Sequence, residues 1–178
     1  MEKDIDIIIY GATGFTGKLC VKYFQSLNTT VTWAMAGRNL IKLQKVAEDH
    51  QAKVEILLAD SDDESALDNL TSRARVILST TGPFHRYGSK LVASCIKNNA
   101  HYVDITGENF WVKGLIDKHH AEASAKGIRI IPSCGFDSIP SDLGAFFSAR
   151  AVGKPIKRIE SFHSYAVSYT HLTLPTKA

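Results

Sequence analysis

Gly11, Ala12, Thr13, Gly14, Phe15, Thr16 and Gly17 join a short apolar run to an amphipathic segment, and this junction is where the chain can do chemistry. The run before it (Ile5, Ile7, Ile8, Ile9, Tyr10) is β-branched and apolar enough for a strand buried on both faces. Strand, glycine turn and helix in that order is the context in which a glycine motif means dinucleotide binding. Gly11 allows the tight turn, Gly14 lets backbone approach a pyrophosphate, and Gly17 lets the helix pack on the strand. The first helical turn then offers unpaired N–H groups and the positive end of its dipole to phosphates. The spacing is a variant, with Ala12 in the first slot of G-x-G-x-x-G and Gly11 one position early. The same glycines would serve a purely structural turn; the junction of strand and helix favours the ligand.

Further along stand the residues expected to complete a cofactor site. Arg38 follows the second strand, about 20 residues after the last glycine, where NAD-binding sheets carry an acidic residue for the ribose 2′-OH. A guanidinium there suits a 2′-phosphate, which points to NADP(H); the alternative is an ordinary surface arginine. Lys42, one helical turn on, either reinforces Arg38 or is simply solvated. Asp60 ends the third strand and either touches the adenine or belongs to the cap of the next helix, where Ser61, Asp62 and Asp63 precede Glu64 in a capping-box-like run. Thr80, Thr81, Gly82 and Pro83 follow the fourth strand, at the point where a doubly wound sheet reverses its order and receives its ligand. Their small side chains leave room for a ribose or nicotinamide ring; a plain turn is the bland alternative. Asp104, Glu108 and Asp137 are candidate acids without an assigned role. Cys134 has no assignable base and reads as a small buried cysteine rather than a nucleophile. His119 and His120 are adjacent, so their rings point about 100° apart on a helix and do not share a metal. No metal site is expected.

The elements that must position these residues read in alternation. Helical spacing of Leu19, Cys20, Tyr23, Phe24 and Leu27 predicts the first buried stripe. Strands are expected at residues 30–36, 54–59, 76–80, 102–106 and 128–132. Between them, helices carry Leu40, Leu43, Val46 and Ala47 after an Asn39 cap, then Leu67 and Leu70, then Leu91, Val92, Cys95 and Ile96. A long helix at 110–126 stops at Gly127. Ser141 reads as the N-cap of a last helix that buries Leu143, Phe146 and Phe147. The pattern implies an α/β fold, a doubly wound parallel sheet of order 3-2-1-4-5-6.

Bulk composition excludes several classes. With 44% apolar and 22% charged residues the chain can bury a core. A net charge of +3 without a longer basic run than Lys154–Arg158 gives no reason to expect nucleic acid. Cys20, Cys95 and Cys134 are an odd number and far apart, which favours a reducing compartment. No stretch has the ~18 apolar residues of a membrane span, and the acidic start is not a signal peptide. The expected location is cytoplasmic, with peripheral attachment to a membrane or lipid droplet left open.

The order of motifs YGATGFTG, AGRN, TTGPF followed by YG, YVDITGE and CGFDSIPSD resembles the saccharopine dehydrogenase-like oxidoreductase family, which includes bacterial trans-acting enoyl reductases. The resemblance covers about residues 4–159, and CGFDSIPSD is its most specific part. It implies an NADP-binding Rossmann domain over residues 1–152, followed by a mixed α/β domain that makes substrate and dimer contacts. It does not imply saccharopine as substrate, and it supplies no catalytic residues. Residues 153–165 are expected to be only the first strand of that second domain. Residues 166–178 resemble one reading frame of a sequencing-library adapter (VSYTHLTLPT from Val167), so they are expected to be non-native; a genuine strand is the alternative. The expected chemistry is hydride transfer between NADP(H) and a small-molecule or lipid-related carbonyl or enoyl substrate, with this shortened chain inactive alone and a homodimer formed through the second domain. The rivals are a non-catalytic NADP(H) sensor and a lipid-associated scaffold.

Overall fold

The computed structural model describes residues 3–162. The chain divides into two compact units, Met1–Ile139 and Pro140–Ala178.

In the first unit, β1 (Ile5–Tyr10), β2 (Trp33–Gly37), β3 (Glu55–Leu58), β4 (Ala74–Ser79), β5 (His101–Asp104) and β6 (Ile130–Ile131) form one sheet of order β3-β2-β1-β4-β5-β6. Every pairing is parallel. This is the doubly wound order expected, with its reversal between β1 and β4. Five helices cross between the strands: α1 (Phe15–Ser26), α2 (Leu40–His50), α3 (Glu64–Arg73), α4 (Phe84–Lys97) and α5 (Asn109–Ala125). β1 lies at the centre because its apolar run can be buried on both faces. Ile8 packs into the cluster of α3, α4 and α5, and Ile9 into that of α1 and α2, both fully buried.

Several elements differ from expectation. β2 starts at Trp33 rather than residue 30, because Thr32 is engaged sideways: its N–H and hydroxyl donate to Asp6 Oδ2 at 2.9 Å each. β5 stops at Asp104 rather than 106, because the Asp104 carboxylate takes the Thr106 N–H at 3.0 Å. β6 shrinks to Ile130–Ile131 at the sheet edge. The α1 stripe is misphased: Gly17 and Val21 are buried, whereas Leu19 is 51% and Tyr23 61% exposed. Cys20 and Phe24 keep part of their expected role against the core. α3 is capped by Asp63, which accepts the Ala66 N–H at 3.0 Å, not by Ser61 or Asp62. Asn39 caps α2 as expected, accepting the Lys42 N–H at 2.9 Å.

The second unit contains most of α6 (Ile139–Val152). The helix begins before Ser141, so Ser141 lies within its first turn instead of capping it. Pro140 in that turn lacks only an N–H that would be unpaired anyway. Leu143, Phe146 and Phe147 are exposed rather than buried, and no described α6 residue is buried. Phe146 and Phe147 spend their apolar surface partly on each other, ring centroids 5.5 Å apart. The strand expected from Ile156 does not form within residues 156–162, since an extended segment without a pairing partner leaves its backbone to water. Residues 163–178, including the adapter-like tail, lie outside the described residues.

Candidate cofactor site at the sheet reversal

The site grows from the ends of β1, β2 and β4. Gly11 leaves β1 with φ +85°, a conformation in the left-handed region that favours glycine. Its N–H and that of Ala12 both donate to Ala36 O, at 3.0 and 3.3 Å, which ties the turn to β2. The Gly14 N–H closes the turn on Gly11 O at 3.0 Å. α1 then starts with Gly14 as cap, no side chain capping that end and no acidic residue in its first turn. A Cβ at Gly17 would lie 2.2 Å from Gly11 O, so only glycine lets α1 approach β1 this closely. Gly11 thus makes the tight turn and Gly17 the close helix–strand approach expected of them.

From the other side, β4 delivers Thr80 and Thr81. The Thr80 hydroxyl donates toward Tyr10 O and Gly11 O, both at 3.2 Å. Thr81 Oγ1 would sit 2.3 Å from a Cβ at Gly11, and it is buried with no hydrogen-bond partner among the described residues. A buried, unpaired hydroxyl beside a glycine turn is a group that a ligand would satisfy.

Between these ends lies a cleft of about 360 Å³. Of the expected residues, Gly11, Thr13, Gly14, Arg38, Thr80, Thr81, Gly82 and Pro83 line it. Ala12 does not: it is fully buried beneath the turn. Phe15, Thr16 and Gly17 are on α1 and do not line the cleft either, and Phe15 is 72% exposed. Asp60 is used locally, its Oδ1 accepting the Asp62 N–H at 3.0 Å, while its neighbour Ser61 reaches the cleft. Lys42 lies outside it.

Sequence reasoning missed Tyr10, Gly37, Ser61 and Tyr87 as lining residues. Tyr10 was visible only as the end of an apolar strand; its phenol is raised above the usual tyrosine range, first by burial and next by the Asp60 charge. Tyr87 stands one turn into α4, behind Pro83, with the Arg86 guanidinium over its ring at 5.3 Å. Its signal was the spacing from TTGPF.

The remaining candidate acids separate. Asp104 is buried. Its Oδ1 accepts the N–H of Thr106 and of Ser133, both at 3.0 Å, and Oδ2 accepts the Tyr102 hydroxyl at 2.9 Å. Burial raises its carboxyl above the ordinary aspartate value, and these donors only partly offset that. Asp104 is a joint between β5 and the segment after β6. Asp137 is exposed. Cys134 is half-buried rather than buried, its thiol donating to Ile131 O at 3.2 Å; burial raises its pKa, which opposes a thiolate. Among the described residues no group of His, Cys, Asp and Glu is arranged to hold a metal.

Residues 7–131 match the family described as the saccharopine dehydrogenase NADP binding domain. The chain belongs to that family. Its cofactor is NADP(H). The residues present fit it: an open α1 end, a glycine cradle, an unsatisfied hydroxyl and a guanidinium at the far wall. A trans-acting enoyl reductase of Mycobacterium leprae is 40% identical over 158 residues, covering 85% of this chain and 37% of that protein. One of Mycobacterium tuberculosis is 42% identical over 148 residues, covering 82% and 35%. The chain therefore spans about a third of the length of the curated relatives it matches. Among solved structures, the apo saccharopine dehydrogenase (L-Glu forming) of Saccharomyces cerevisiae superposes with a TM-score of 0.68 at 21% identity. It covers 84% of this chain and 31% of that one, and it shares the fold. No described helix is long and apolar enough to cross a membrane.

Proposed function

We propose that this chain is the cofactor-holding part of an oxidoreductase that moves hydride between NADP(H) and a carbonyl or enoyl substrate, of which the enoyl class is the one printed in the names of its relatives. The single observation that carries the reading is the cleft in which Gly11, Gly14, Arg38 and Thr80–Pro83 converge at the sheet reversal. Gly11 through Gly17 would hold the pyrophosphate against the α1 end, where backbone N–H groups and the helix dipole favour anions. Arg38 would take the 2′-phosphate, Ser61 with Asp60 the adenine side, and Thr80, Thr81, Gly82 and Pro83 the nicotinamide side. When bound, the nicotinamide supplies the hydride chemistry, and the protein supplies binding, orientation and electrostatics.

Tyr87 lines the same cleft as Thr80 through Pro83, and no catalytic acid or base is assigned. Substrate selection is assigned to the part of the relatives' length that this chain does not span. The chain by itself binds cofactor and does not turn over. A cytoplasmic setting, peripheral contact with a membrane or lipid droplet, and homodimerisation through that further part belong to the same proposal.

The test is isothermal calorimetry on the folded chain with NADPH and with NADH. Saturable heat with NADPH, and weaker binding of NADH, is the expected result. No heat with either nucleotide overturns the reading.

A further inference from the structure

Glu108 follows β5, yet its carboxylate serves α4. Oε1 accepts the Phe84 N–H at 2.7 Å; Oε2 accepts the His85 N–H at 2.8 Å and lies 2.6 Å from His85 Nδ1. Those N–H groups belong to the first turn of α4, whose own cap residue, Pro83, makes no side-chain bond. Glu108 is thus the cap that α4 lacks in its own sequence.

Glu108 is itself held. Its N–H donates to Thr106 Oγ1 at 3.1 Å, and its carbonyl accepts the Trp111 and Val112 N–H groups at 2.9 and 3.1 Å. Trp111 secures the same joint from α5. Its ring meets Phe84 at 5.9 Å between centroids and its Nε1 donates to Ser89 Oγ at 2.9 Å. The start of α5 therefore grips the start of α4. The residues just before the gripped turn, Thr80 through Pro83, line the cofactor cleft, and the gripped Phe84 ring packs under Gly82, 3.4 Å from where its Cβ would be.

The geometry points to Glu108 as a positioning residue for the nicotinamide half of the cofactor, acting through the turn at residues 82–85; this rests on the NADP(H) reading above. The adenosine half is held elsewhere, by the α1 end and Arg38, and does not depend on that turn. Loss of the carboxylate frees the turn at one end of the cleft and leaves the other end as it was.

The experiment measures binding of NADPH and of 2′-phospho-ADP-ribose, which lacks the nicotinamide, to the wild-type chain and to Glu108→Ala and Glu108→Gln. The Ala variant removes both acceptor oxygens. The Gln variant keeps the shape but turns an NH2 group toward a donor, and it carries the test if the Ala variant fails to fold by circular dichroism. NADPH affinity is expected to fall about tenfold in either variant, the scale of one lost hydrogen bond to a charged group. Affinity for 2′-phospho-ADP-ribose is expected to stay within error of the wild type. Equal loss for the two ligands, or no loss for NADPH, overturns the positioning role. A wild-type chain that binds neither ligand overturns the cofactor reading itself, a result distinct from both.

Discussion

Arg38 lines the cleft with no carboxylate among the other lining residues, and the proposed 2′-phosphate role rests on that charge. Arg38→Ala is expected to weaken NADPH by about 1.5–3 kcal/mol, the range for hydrogen bonds to charged groups, and to leave NADH nearly unchanged by calorimetry. An equal loss for both would remove the phosphate role. Two glycines make a paired prediction about stability. A Cβ at Gly17 meets backbone, Gly11 O at 2.2 Å and Ala12 Cα at 2.8 Å, and backbone in the centre of a sheet cannot yield. Gly17→Ala should cost about 3 kcal/mol in urea unfolding and abolish NADPH binding, as overpacking at the cradle. Gly127 has φ +65° and open space around its Cβ position, so Gly127→Ala should cost only about 1 kcal/mol, from backbone strain, and leave binding intact. The sequence announced both glycines. It could not say that one meets atoms and the other meets none.

At the scale of elements, the joint between α4 and α5 is the least legible part of the site and among the tightest. A Cβ on Gly88 would lie 2.6 Å from Trp111 Cζ2, so α4 comes close to the indole only because position 88 is glycine. Gly88→Ala is expected to lower unfolding free energy by about 1–3 kcal/mol. Combined with Trp111→Leu it should show a coupling of about 0.5–3 kcal/mol in a double-mutant cycle, since the smaller side chain relieves the clash; strict additivity would mean that the two helices do not meet there. The α1 stripe teaches a related point. Leu19, Tyr23 and Leu27 have helical spacing, yet the face that turns inward is set by the contact of Gly17 with Gly11 O, which hydrophobic periodicity cannot report. By contrast β1, α2 and α4 were readable, because a continuous apolar run, an Asn cap and a strong apolar face are all local signals.

Across the molecule, charge sets the response to acid. Arg73 at the end of α3 reaches Asp4 before β1, Nε to Oδ2 at 3.1 Å, and Glu55 on β3, Nη1 to Oε1 at 2.8 Å. Hydrogen bonds from Arg73 hold both carboxyls below their ordinary values. Bonds from Thr32 do the same for Asp6, and bonds from Lys97 and Ser94 for Asp68. A carboxyl depressed in the folded state contributes stability above its unfolded pKa of about 4, and that contribution is lost as pH falls through the lower folded value. Asp104 has the opposite sign: raised by burial, it favours the folded state only while protonated, and that contribution is lost as pH rises through its folded value. Depressed groups outnumber it, so thermal unfolding should move to lower temperature below about pH 4, and Arg73→Met should flatten that dependence. Asp104→Asn, which keeps an acceptor for two N–H groups, should be nearly neutral at pH 7, whereas Asp104→Ala strands three donors and should cost about 3 kcal/mol. The sequence by itself determined the strand order, the glycine turn after β1 and the cationic residue after β2, because each is written in residues near one another along the chain. Only the tertiary structure decided that Ser61 and Tyr87 share a cleft with Gly11, and that Glu108 caps a helix beginning 24 residues before it. Contacts between distant residues leave no period and no spacing to read; they exist only once the sheet has brought strand ends together.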